Sequence, residues 1–198
     1  MQYATGAARP LAEATVRYLI DAKRSTFIVQ AFSTGLLSTF GHSPKIAVRD
    51  LQGDTEFVAA GATIQDARLH VRIRADSLEV IDDISEKDRH EIQRQMFGDV
   101  LETKYYPEIL FECSQATASG TGDRYWVALN GELTLHGETR TQSISARVAL
   151  TGDSMRASGE FSVRQSDYGI VPVKVAGGAI KLKDEVKCTF DIQARKQE

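Results

Sequence analysis

The sequence has no run of about 18 apolar residues, so no segment of it can span a bilayer as a helix. Neither sign of charge is in strong excess; the formal net charge is −3 at pH 7, which argues against nucleic acid as a partner. Cysteine is scarce, with Cys113 and Cys188 alone, in keeping with a reducing compartment. The opening residues MQYATGAARPLAEATV contain no apolar core of signal-peptide length, so the expectation is a cytoplasmic protein. No Gly-x-Ser-x-Gly elbow is present. No pair among the four histidines has the i, i+2 or i, i+4 spacing that would bring two imidazoles to one ion, so neither metal nor cofactor is expected. Linkers, low-complexity tracts and internal repeats are also missing. Residues 1–16 read as a flexible arm and 17–198 as one domain.

What is present is alternation. In ARLHVRIRADSL, Leu69, Val71, Ile73 and Ala75 share one face, and Arg68, His70, Arg72 and Arg74 the other. The same period of two recurs through Ile109, Phe111 and Cys113, then through Val127 to Leu135, Ile144 to Leu150, Ala157 to Val163, and Val186 to Ala194. Only SEKDRHEIQRQMFGDV breaks it. Ser85 with Asp88 resembles an N-terminal capping box, and Ile92 with Met96 forms an i, i+4 apolar stripe. These signals predict one helix from about Glu86 to about Phe97, placed to cover a barrel mouth.

Eight or nine short strands joined by Gly-rich turns fit either a sandwich or an up-and-down barrel. The inward face mixes Phe27, Phe57, Phe111, Phe161 and Phe190 with Ala31, Ala75, Gly131, Ala146 and Gly159. Such a face can leave a lumen for one small ligand, or it can interdigitate into a solid core. Periodicity does not separate the two.

Four motifs in order resemble one family. LNGELTLHGETRTQSI (129–144) is similar to its strand–turn signature, and ETKYYPEILFE (102–112) to its Tyr-Pro-x-Ile-x-Phe segment. SDYGI (166–170) is similar to its Ser-Asp-Phe-Gly turn, and KDEVKCTFDIQA (183–194) to its closing strand. The family is YceI-like, and the resemblance runs from about Tyr18 to Lys196. It implies an extended antiparallel lipocalin-like barrel of about eight strands, an isoprenoid or fatty-acid-derived chain in the lumen, frequent dimers and no catalysis. Members of the family are often periplasmic. Where the family carries Arg directly before Ser-Asp-Phe-Gly, this chain has Gln165, with Arg164 one place earlier. The first loop, STFGHSPK, and the sequence Lys87-Asp88-Arg89 also depart from the family pattern.

On this reading the expected lumen wall is Phe32, Phe40, Phe57, Ile73, Met96, Phe97, Phe111, Leu133, Phe161 and Ile170, with His42 reaching a head group. Lys45, Arg49 and Lys174 are placed near the mouths as partners for an anionic head. Each buried methylene contributes about 0.8 kcal/mol, so a few isoprene units suffice for binding without a charged contact. Two other functions remain open: an enzyme acting on a bound lipid or quinone-like substrate with His42 as acid or base, and a ligand-free interaction module with a solid core. Asp82 and Asp83 read as solvated charges at a helix start. Cys113 and Cys188 read as small inward hydrophobes.

Overall fold

The computed structural model describes residues 14–34, 43–60, 63–175 and 180–197. In chain order the strands are β1 (Ala14–Ile20), β2 (Thr26–Gln30), β3 (Ser33–Thr34), β4 (Lys45–Val48), β5 (Leu51–Ala60), β6 (Thr63–Arg74) and β7 (Leu78–Val80). Helix α1 (Glu86–Gln95) follows, then β8 (Glu108–Thr121), β9 (Arg124–Leu135), β10 (Glu138–Thr151) and β11 (Ser154–Arg164). The last strands are β12 (Lys174–Val175), β13 (Ile180–Leu182) and β14 (Glu185–Lys196).

Eight strands close into an antiparallel ring in the order β1-β5-β6-β8-β9-β10-β11-β14, with β14 pairing back onto β1. Closure leaves the ring without free edges. The alternative of a sandwich is therefore set aside. The edge of β14 that faces away from β11 is shared between two partners: its end at Ala194–Lys196 pairs with β1, and its stretch Lys187–Asp191 pairs with β2. A turn of 3₁₀ helix, Ala22–Arg24, separates β1 from β2 and lets the chain leave the ring. From β2 the ladder continues through β4 to β7, and β12, β13 and β3 form a separate small sheet.

The alternation places residues as the sequence requires. His70 Nε2 lies 3.0 Å from Glu112 Oε1, and Arg72 donates to Glu108 at 3.2 Å, both on the exposed outer face. Leu69, Val71 and Ile73 point into the ring. Two register shifts mark bulges in β6, where Asp66 and Ala67 face Phe57, and in β8, where Cys113 and Ser114 face Gly131.

Ser85 caps α1 as its sequence predicts, its Oγ accepting from the Asp88 N–H at 3.1 Å. The helix ends at Gln95 rather than Phe97, and a turn of π-helix, Met96–Val100, continues it. Arg89 donates to the carbonyls of Val80 (2.6 Å) and Asp82 (3.0 Å), which pins α1 against β7. Met96 packs with Leu51, Ile73 and Leu78. The helix therefore sits at one end of the barrel, with the β9–β10 turn and the Gln165–Tyr168 turn. The β8–β9 and β10–β11 turns lie at the opposite end. Strand β1 starts at Ala14, inside the stretch read from sequence as an arm. No helix among the described residues is long and apolar enough to cross a membrane.

Candidate functional site: an apolar lumen

The ring encloses a cavity of about 520 Å³, within the range of about 300–1,000 Å³ usual for small-molecule sites. Its wall runs from Phe57, Ile64 and Met155 near the end opposite the helix to Ile170, Val173 and Leu182 near the helix end. Every ring strand contributes inward apolar side chains, and Ile92, Gln95 and Met96 close part of the helix end. A solid interdigitated core is thus absent.

The reason the bore stays open lies in how large and small residues are paired. Gly131 and Gly159 sit on inward faces, and each is covered by an aromatic ring from the neighbouring strand. A Cβ at Gly131 would fall 2.7 Å from Phe111 Cζ, and one at Gly159 would fall 2.8 Å from Phe190 Cζ. The rings lie along the wall over the glycines instead of crossing the axis. Phe27, Phe161 and Phe190 form a cluster with centroids 6.2–6.4 Å apart, which fixes ring orientation on that side. Large-with-small packing therefore thickens the wall and spares the centre.

Of the residues expected on the wall, Phe57, Ile73, Met96, Phe111, Leu133, Phe161 and Ile170 line the cavity. Phe32 and Phe97 do not. Phe32 stacks under the Lys183 ammonium, 5.9 Å from its ring centroid, and Phe97 packs against the cluster of Leu51, Ile73, Leu78 and Met96. Phe40 and His42 lie outside the described residues. The expected head-group cations also stand apart from the lumen. Arg49 pairs with Glu79 at 2.5 Å, while Lys45 and Lys174 are exposed and off the cavity wall. Lys181, which pairs with Lys174 across β12 and β13, is the lysine that borders the cavity. A two-residue strand offers too little period for sequence reasoning to orient it.

Polar groups on the wall are few. Thr55 uses its hydroxyl to donate to the Arg68 carbonyl at 2.7 Å, and the Arg68 side chain itself points outward beside Glu56. Gln95 donates to Glu91 at 2.8 Å. Gln165 is the one buried polar side chain among the described residues, 8% exposed, and its Nε2 donates to the carbonyls of Lys183 (3.0 Å) and Asp184 (3.3 Å). Cys188 also faces the cavity; burial pushes its thiol up to about 12, so it stays protonated and inert.

Sequence reasoning also missed His136. Its Nδ1 lies 3.2 Å from the Tyr168 carbonyl and its Nε2 2.8 Å from Glu102, while its ring contacts Tyr106 at a centroid distance of 4.4 Å. The imidazole thus joins the β9–β10 turn to the segment after the helix and to the Gln165–Tyr168 turn. Three of the four motifs quoted above meet there. The signal was present in the His-Gly dipeptide, which sequence alone reads as a turn.

A closed antiparallel barrel with an apolar bore and a helix at one mouth defines a lipocalin-like binding barrel. The chain belongs to the YceI-like family, whose YceI-like domain matches residues 18–194. A UPF0312 protein of Shewanella baltica is 27% identical over 168 residues, covering 81% of this chain and 80% of that relative. Among solved structures, Burkholderia cenocepacia BcnA superposes with a TM-score of 0.67 at 19% identity, covering 88% of this chain and 98% of that one. A polyisoprenoid-binding domain from Saccharophagus degradans gives a TM-score of 0.64 at 15% identity, with coverage of 91% and 98%.

Proposed function

We propose that the protein is a non-catalytic carrier that holds one long-chain amphiphile, isoprenoid or fatty-acid-derived, within the barrel. The observation that carries this reading is the 520 Å³ cavity, lined along its length by side chains that offer hydrocarbon contact and little else. A bore of this kind binds by removing apolar surface from water, at about 25 cal/mol per Å² before ordering costs. Membership of the YceI-like family and the likeness to a polyisoprenoid-binding domain support the same reading.

Organic extraction and native mass spectrometry of freshly purified protein test the proposal. A co-purifying or stoichiometrically reloadable lipid is the expected result. Protein that neither carries nor takes up prenyl or acyl chains would rule the carrier out.

A further inference from the structure

We propose that Gln165 is a head-group receptor that selects amphiphiles whose polar end donates a hydrogen bond. It rests on the carrier reading and adds the chemistry of the head. The amide orientation is fixed by its neighbours, because the two carbonyls of Lys183 and Asp184 can only accept, so the nitrogen must face them. The oxygen is thereby turned away. No donor among the described residues reaches Oε1, yet no fully enclosed side-chain nitrogen or oxygen among them lacks a partner. Oε1 therefore faces open space. Gln165 is more than nine-tenths buried and lines the lumen, so that space is the lumen.

An acceptor in an apolar bore is an unfavourable thing to leave alone. Water is a poor remedy there, since a stable buried water needs two to four polar partners and the wall at this end, Lys181 apart, supplies Val163, Ile170, Val173 and Leu182. A hydroxyl or amide N–H on the ligand satisfies it directly. An ether, an ester or a carboxylate, which can only accept, leaves it unpaired or opposes it. The receptor is also held rigidly: Ser166 donates through its N–H (2.8 Å) and its hydroxyl (2.6 Å) to the Asp184 carboxylate, and the Gln165 N–H donates to the Asp184 carbonyl (2.9 Å). At the opposite end of the bore, around Phe57, Ile64 and Met155, no side-chain amide lines the cavity among the described residues. The ligand thus lies with its tail toward Met155 and its donor at the helix end.

Geranylgeraniol and its methyl ether share one tail and differ in a single O–H. Titration calorimetry on the full chain should show the alcohol binding roughly tenfold tighter than the ether. In Gln165→Met, which keeps the length and removes the acceptor, that ratio should fall to about one. Equal binding of both probes by the unaltered protein overturns the head-group assignment and leaves the carrier reading intact. A preference that persists in the variant overturns the role of Gln165. Failure of both probes to bind at all overturns the carrier reading and this proposal with it. If the variant does not fold by circular dichroism, the alcohol-to-ether ratio of the unaltered protein still decides whether a donor is selected.

Discussion

His136 and Glu102 are 34 residues apart in the chain and meet with Nε2 2.8 Å from a carboxylate oxygen. The other ring nitrogen faces the Tyr168 carbonyl at 3.2 Å, so both nitrogens confront acceptors. One side chain, itself largely buried, thereby fastens together the elements that frame the helix end of the bore.

Replacing His136 by Ala should destabilise the fold by about 1–3 kcal/mol, because two hydrogen bonds are lost. A double-mutant cycle with Glu102→Ala in urea should return a coupling of about 0.5–3 kcal/mol. Additive effects would mean that the contact carries no energy.

The pairing of rings with glycines can be tested at Gly159. Gly159→Ala puts a methyl against the Phe190 ring and the Ser145 carbonyl oxygen and should cost about 1–3 kcal/mol. Adding Phe190→Leu should recover part of that loss, measured as the urea midpoint. A variant as stable as the parent would show that the ring yields freely.

A plug tests the lumen without touching Gln165. Ala146 is buried on the cavity wall, and Ala146→Phe directs a ring into open space. Uptake of a long-chain probe should fall at least about tenfold, a loss of ~1.4 kcal/mol, while circular dichroism stays unchanged. Undiminished uptake would place the ligand elsewhere.

The Asp184 carboxyl is held below its usual range, first by the Ser166 hydroxyl and then by the Ser166 N–H, with Arg164 adding a smaller effect. A depressed native value means the ionised form favours folding. Its contribution is complete above the ordinary carboxylate range, about pH 4, and disappears as pH falls through the depressed value. Asp184→Asn should accordingly lower the melting temperature at pH 7, and the gap to the parent should narrow as pH drops below about 4. A gap independent of pH would assign the loss to shape and not to charge.

The long strands were legible because a two-residue period over ten or more positions leaves little choice of face. Leu69, Val71 and Ile73 illustrate this, as do Val127 to Leu135. The helix was legible through Ser85 and the Ile92–Met96 stripe. Strands β3, β7, β12 and β13 were harder, since two or three residues cannot establish a period. Phe32 and Phe97 were assigned to the wall by residue type, and type alone does not give direction. Gln165 was noticed as a departure from the family pattern. Its burial depends on Lys183 and Asp184, which arrive on the link between β13 and β14, and no local reading could supply that. The bulges in β6 and β8 switch parity by one residue, so Ile64 and Ala116, which lie at odd intervals from Leu69 and Phe111, line the same cavity as they do.

Aromatic rings seated against glycines set the calibre of the tube locally, strand by strand, independently of how far the tube extends. On the carrier reading, such a gauge would sort guests by girth, and a bulky or multiply ringed tail is expected to bind less tightly than a slender one of equal carbon number.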